Sequence, residues 1–291
     1  MSRPLPAVRA LVAGAAISLL CALPVAAQVA PLWRSIDLSR QLRDSSPQRI
    51  RVQYGAGQVD VRPAVTPVLY DMHLRYDERR ATPLHRYDAE LRATVLGVDA
   101  VGEGGRSVSN TKDFGELRVG LPSTVPLDLE LDFGGTQAAL ELGGLALQSV
   151  RLECGATEAT LSFSTPNRTH MREMDIGAGV ASFTALRLGN ANADLIKVNG
   201  GVGSVDLDFG GTWTRDLVVD TRIAIGQLVL RVPPGVGIRL DVQRVAATFE
   251  HQGLVKRGDA WYSENWDAAP HKLRVHAETF FGSVELQRST K

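Results

Sequence analysis

Acidic side chains at every second position are the residues of this sequence with the clearest chemical potential. Asp206 and Asp208 alternate with apolar residues, so both carboxylates are expected on one outward strand face. Asp128, Glu130 and Asp132 repeat the pattern. Paired acids of this kind can cleave a glycan, hold its hydroxyl groups or bind a cation. The interpretation that we favour is a solvated strand face whose charge prevents edge-to-edge aggregation.

A short aromatic segment near the C-terminus is the second candidate. Trp261, Tyr262 and Trp266 fall within AWYSENWD, residues 260–267. Such rings can stack on a sugar or anchor a protein partner. They can equally close the apolar end of a β structure. We favour the closing role and keep these three residues as the candidate binding surface.

Known catalytic and metal-binding motifs are incomplete. Residues 200–205 approach the calcium motif GGxGxD, but Asp206 comes one position late, and a one-residue shift reverses the face of a strand residue. Residues 177–182 lack the third glycine and the helix of a dinucleotide loop, and the SxxK match at 109–112 lacks its partner motifs. The histidines complete no zinc site. We therefore predict no catalytic residue, no metal, no cofactor and no enzymatic activity.

Composition limits the class of protein and of partner. The 291 residues include 44% hydrophobic and 22% charged residues, which is enough apolar material for a large core. Lys plus Arg and Asp plus Glu each number 32, so no net charge attracts nucleic acid. A nucleic-acid partner is not expected.

The first 27 residues have the features of a secretory leader. Arg3 and Arg9 precede an uncharged apolar run, residues 10–23, and Val25-Ala26-Ala27 supplies the small residues of a cleavage site. Cleavage after Ala27 is predicted. A retained anchor is the alternative, although the apolar run is short for a span of about 20 residues. Both place the rest of the chain outside the cytoplasm, in the periplasm or at the cell surface, and no span remains after cleavage.

Cysteine content excludes an internal disulfide from the mature chain. Cys21 lies in the leader, which leaves Cys154 alone. Cys154 shares its alternation with Val150 and Leu152, so we expect a small buried core residue.

The elements that must position these residues are strands joined by glycine turns. Alternating apolar residues recur along the mature chain, and the turn glycines Gly134, Gly155, Gly177, Gly201 and Gly226 are 21, 22, 24 and 25 residues apart. That period is typical of β-solenoid coils that pair with one another. An antiparallel β-sandwich is the alternative. We predict an all-β solenoid-like stack, with an N-terminal β segment at 28–118 and a repetitive domain at 119–291.

Asparagines near one turn region support stacked coils. Asn190, Asn192 and Asn199 are interpreted as turn residues that hydrogen-bond the backbone between coils, because Asn readily bonds local peptide groups.

Four segments carry a resemblance to a known family. They are YGAGQVDVRP (54–63), VPLDLELDFGG (125–135), LGNANADLIKVNGGVGSVDLDFGGTW (188–213) and IAIGQLVLRVPPGVG (223–237). The sequence resembles the toast-rack proteins, which are related to the C-terminal domain of LiaF-type cell-wall-stress proteins. The resemblance implies an exported or membrane-tethered β-helix-like domain without an established enzymatic site.

Together these features favour a non-enzymatic, adhesin-like protein of the cell envelope that presents a β surface for binding. The expected partner is an envelope polysaccharide or an envelope protein. Two alternatives stay open: a LiaF-like regulatory module in envelope stress, and a polysaccharide-active β-helix enzyme.

Overall fold

Strands make up nearly all of the structure. The computed structural model describes residues 30–100 and 115–288, and the residues from Pro31 onward form one compact unit. Within those ranges, a short 3₁₀ turn, Leu188–Ala191, is the only helical element. The strands are β1 (Trp33–Gln41), β2 (Gln48–Pro63), β3 (Val68–Asp77), β4 (Ala81–Asp88), β5 (Ala93–Ala100), β6 (Glu116–Leu121), β7 (Leu127–Glu141), β8 (Leu147–Ser162), β9 (Met171–Leu186), β10 (Ala193–Asp208), β11 (Leu217–Val232), β12 (Gly237–Glu250), β13 (Leu254–Arg257), β14 (Ala260–Ser263) and β15 (Lys272–Arg288).

Eight long parallel strands form the body of the fold, in the order β2, β7, β8, β9, β10, β11, β15, β12. The predicted stack of coils is confirmed, and the antiparallel sandwich is not observed. One feature differs from the expected arrangement, in which each coil pairs with the next along the chain. The last strand, β15, lies between β11 and β12.

Each long strand bends once near its middle, and all of them except β12 bury side chains on both sides of the bend. In β8, Val150 and Leu152 are buried before the bend, and Ala159 and Leu161 are buried after it. The two consecutive exposed residues at positions 155 and 156 change the parity of the alternation. Both arms therefore turn an apolar face to one shared core, and the bends line up as the outer corner of the stack.

Glycines occupy the corner because successive backbones approach closely there. A Cβ on Gly155 would lie 3.1 Å from the carbonyl oxygen of Gly134, and Gly201 faces the carbonyl of Gly179 in the same way. Gly177 was expected in this row, but it pairs with Glu153 on β8, two residues before the corner.

Gly226 is also displaced from the expected row. It pairs with Gly203, two residues beyond the corner, and its φ of 147° is one that residues with a Cβ rarely adopt. The turn glycines therefore occupy three rows: Gly134, Gly155 and Gly201 lie at the corner, Gly177 lies two residues before it, and Gly226 lies two residues beyond it.

Different elements cover the two ends of the stack. At the first end, β5 pairs with the first half of β2 and β6 with its second half. The antiparallel strands β4, β3 and β1 continue from these. At the other end, the β13–β14 hairpin pairs with β12 at Arg239 and Leu240. The domain boundary between 118 and 119 stays a prediction, and β2, which precedes it, is one of the eight stacked strands.

Two of the three asparagines join coils as predicted. The Asn190 side chain donates to the carbonyl of Phe163 at 2.9 Å and accepts from the amide of Thr212 at 2.7 Å. The Asn192 side chain donates to the carbonyl of Thr169. The prediction is wrong for Asn199, which lies within β10 rather than at the turn.

Cys154 is a core residue, as its position in the sequence predicted. It is 6% exposed and in no disulfide, and burial raises the pKa of its thiol to about 12. The thiol is therefore protonated at neutral pH, which makes it a poor nucleophile.

Candidate functional site

Asp206 and Asp208 share the outer face of β10, as their spacing predicted, but both make structural contacts. Asp206 forms an ion pair with Arg231 at 2.6 Å, and burial raises the pKa of this carboxyl. Asp208 accepts hydrogen bonds from the amides of Arg187 at 3.1 Å and Gly210 at 3.0 Å. These contacts join neighbouring coils and close a turn.

Of the three acids on β7, Glu130 belongs to a row of alternating basic and acidic residues on the outer face of the first arms, and Asp128 and Asp132 lie beside this row. Arg51 lies 2.6 Å from Asp132, and Lys197 lies 2.7 Å from Glu173. Opposite charges on neighbouring strands favour one register, although each exposed pair contributes at most about 1 kcal/mol. The row consists of Arg51, Glu130, Arg151, Asp175, Lys197, Asp220, His276 and Asp241.

The candidate aromatic surface divides into two parts. Trp261 stacks on His251 with ring centroids 3.9 Å apart and meets the edge of Phe249 at 5.5 Å. It packs against the core at the end of the stack. Because successive residues of a strand point to opposite faces, Tyr262 lies on the other side of β14.

Tyr262 and Trp266 form a separate aromatic pair among cationic side chains. Their ring centroids are 5.4 Å apart in an edge-on arrangement. The guanidinium of Arg257 lies 5.5 Å from the Tyr262 ring. The ammonium of Lys272 lies 5.8 Å and the guanidinium of Arg274 lies 5.7 Å from the Trp266 ring. This pair is half-buried and can present ring surface and cationic groups together.

A groove on the outer face of the second arms was missed by sequence reasoning. Its volume is about 620 Å³. Gln58, Gln137 and Glu158 lie side by side along one row of neighbouring strands. Asp60 and Arg118 lie on the next row. Alternating polar residues are visible in each strand. The pairing of β2, β7 and β8 brings the first three together, and the pairing of β6 with β2 adds Arg118.

The groove offers both hydrogen-bond donors and acceptors. The side-chain amides do both, the carboxylates accept, and the guanidinium groups donate. Arg118 is paired with Glu116 at 2.5 Å, and Arg62 with Asp60 at 3.7 Å. An array of this kind suits a ligand rich in hydroxyl groups.

Two further predictions concern metals and membranes. In the described part of the chain, no group of three or more His, Cys, Asp or Glu residues could hold a metal ion. Across the same residues, none of the helical structure is long and apolar enough to cross a bilayer.

Residues 200–205 form part of the bend of β10. The leader and the SxxK match at 109–112 lie outside the described residues.

Comparison of the sequence with protein families gives a match over residues 34–185 to the N-terminal domain of toast_rack, DUF2154. The chain belongs to the toast-rack family. The toast-rack match extends from β1 into β9 and includes the first stacked strands. No curated protein matches the chain.

Solved structures provide distant similarities to this toast-rack protein. A candidate cell adhesion protein of Clostridium sporogenes is 15% identical, with a TM-score of 0.48 over 89% of this chain and 100% of that chain. A candidate adhesin of Bacteroides fragilis is 8% identical, with a TM-score of 0.42 over 88% of this chain and 97% of that one. A candidate adhesin of Parabacteroides distasonis is 11% identical, with a TM-score of 0.37 over 88% and 98%. These similarities assign no function to this chain.

Proposed function

We propose that this protein is a non-enzymatic, exported protein of the cell envelope that binds a polysaccharide in the groove beside β6. The observation that supports this proposal is the groove itself, with its adjoining Gln58, Gln137 and Glu158 side chains. Export is the prediction from the leader, residues 1–27.

The chemistry of the groove favours a glycan over an apolar ligand. Amide and carboxylate oxygens can accept hydrogen bonds from the hydroxyl groups of a sugar, and amide and guanidinium N–H groups can donate hydrogen bonds to them. The Tyr262–Trp266 pair provides ring surface of the kind that stacks on sugars. We propose it as a second contact for a polymer.

The experiment is a binding assay of the exported form with peptidoglycan sacculi and with purified cell-surface polysaccharide. The test variant combines Gln137→Ala with Glu158→Ala, two exposed changes that are expected to preserve folding. The matched control combines Ser204→Ala with Gln227→Ala, which lie in the same row but outside the groove.

We expect the groove variant to bind the polysaccharide at least about tenfold more weakly, a loss of about 1.4 kcal/mol, while the control binds like the unmodified chain. Equal binding by both variants would rule out the groove. Release of soluble sugar fragments during incubation would contradict the non-enzymatic assignment.

A further inference from the structure

The corner of the stack carries exposed apolar side chains that the proposed function does not use. Val180, Val202, Ile225 and Phe281 pair in register on adjacent strands at the bend. Val180 is 63% exposed and Phe281 is 54% exposed. Phe280 and Val245 extend the row beside them, and these six account for most of the large hydrophobic residues exposed in the described ranges. We call these two adjacent rows at the bend the corner ridge.

Side-chain size increases along the corner ridge from β2 to β15, and the row ends with the smaller Ala246 on β12. At the first end of the stack the corner consists of Ala56 and Gly135, followed by Ala156 beside Gly135. Valines follow on β9 and β10, then Ile225, and then Phe281 on β15. The neighbouring row follows the same trend, because Gly134 and Gly155 precede Phe280. The ridge therefore carries small residues on β2, β7 and β8 and bulky ones on β11 and β15.

We propose that two copies of this chain associate through their corner ridges in antiparallel orientation. A two-fold axis between β9 and β10 places Phe281 of one copy against Gly135 of the other, and Ile225 against Ala156. Val180 then meets Val202. Phe281 and Ile225 each face a small residue, the two valines face each other, and all contacts are isologous.

Charges beside the ridge permit this contact. Glu278 is neutralised by Arg222 at 3.1 Å, and Asp132 by Arg51 at 2.6 Å, so these two acids can approach each other with their cations in place. On the other side, Glu158 is the one charged member of the row that also holds Ser182, Ser204, Gln227 and Ser283, and in this arrangement it faces the uncharged Gln227 of the other copy.

Association of two copies through the outer edge of β12 is less favourable than association through the corner ridges. If two copies of β12 met antiparallel with their bends aligned, Asp241 of each would stand opposite Glu250 of the other. Directly opposed like charges destabilise a strand pair. In addition, β14 already covers Arg239 and Leu240 at that edge.

The ridge is narrow, and the association should be weak. Eight strands at about 4.8 Å give a contact about 34 Å long. A stable interface buries about 800 Å² on each partner, which one convex corner does not supply. A dissociation constant of about 0.1 mM is therefore expected.

Crosslinking with a short bismaleimide tests the geometry in a Cys21→Ser background, in which the buried Cys154 is the remaining thiol. Val202→Cys lies beside the two-fold axis and should crosslink to its own copy. Phe281→Cys should not, because the two positions are about 24 Å apart in the antiparallel dimer. A mixture of Phe281→Cys and Gly135→Cys chains should crosslink. Thr160→Cys, away from the ridge, is the negative control.

Sedimentation over a concentration series supplies the second test. Filling the bare corner with Gly135→Leu should weaken dimerisation at least about tenfold, although it makes the surface more apolar. Its added side chain has room in the monomer, because the nearest atom to a Cβ at Gly135 is 3.9 Å away.

Three results would overturn the proposal. The first is a chain that stays monomeric at about 1 mM, ten times the expected dissociation constant. The second is self-crosslinking of Phe281→Cys, which requires a parallel arrangement. The third is tighter association, or acquired binding to phosphatidylcholine vesicles, in the Gly135→Leu variant, since both indicate a general apolar surface.

Discussion

Glu141 shows how one side chain can join two coils at the end of β7. Its carboxylate accepts hydrogen bonds from the amide of Gly143 at 2.7 Å, the amide of Ser164 at 2.9 Å and the hydroxyl of Ser162 at 2.6 Å. Burial alone would raise its pKa, but these hydrogen bonds outweigh burial and hold the pKa below the ordinary value of 4.5.

Replacing this carboxylate should cost stability in a pH-dependent manner. A carboxyl group with a lowered pKa stabilises the fold fully above pH 4.5, and this contribution is lost as the pH falls through the folded-state pKa. Glu141→Gln should therefore lower the free energy of unfolding by about 1–2 kcal/mol at pH 7. The difference should shrink in acid. Urea unfolding from pH 7 downward measures it.

Glu130→Gln provides the control, because Glu130 is a surface acid whose ion pair with Arg51 is 3.8 Å long. Its effect at pH 7 should be smaller. A Glu141→Gln difference that stayed constant on acidification would contradict the role assigned to the ionised carboxylate.

At the scale of elements, the stacked strands depend on close approach at the corner. Gly201 leaves no room for a Cβ, because the carbonyl of Gly179 occupies that position. Gly135 lies at the corner of another strand, and a Cβ there would meet nothing closer than 3.9 Å. Glycine is therefore required at one corner position and optional at the other.

The difference in available space predicts that an added methyl group lowers stability more at Gly201 than at Gly135. Gly201→Ala should destabilise the fold by about 2 kcal/mol, because the strand must shift to relieve the clash. Gly135→Ala should change stability by less than about 0.5 kcal/mol. Denaturant midpoints of the two variants give the comparison. Equal losses would mean that backbone conformation, rather than contact between strands, determines the cost.

The sequence was sufficient to predict strands, coils and an outer corner, because alternation and glycine spacing are local features. It misplaced Gly177 because a glycine two residues from the bend looks the same in sequence as one within it. The groove at Gln58, Gln137 and Glu158 could not be predicted, since its shape depends on β6 pairing beside β2. Long-range pairing is not encoded in the periodicity of a single strand.

At the scale of the whole molecule, the position of β15 is the main departure from simple stacking. β15 buries Val284 and Leu286 in its second arm, as an internal strand requires. The corresponding part of β12 is largely exposed, which suits an edge strand. The final strand of the chain therefore completes the interior of the stack.

Removal of residues 272–291 should accordingly separate β12 from the stack. β15 pairs along its length with both β11 and β12, so its loss leaves β12 without a parallel neighbour. Amides of residues 237–263 should lose protection from hydrogen exchange, whereas those of β7 to β9 should keep it, since their partners remain. A synthetic peptide of residues 272–288 should restore protection in trans. Protected amides in β12 without the peptide would mean that β12 can pair directly with β11, and that the inserted strand is dispensable for closing the stack.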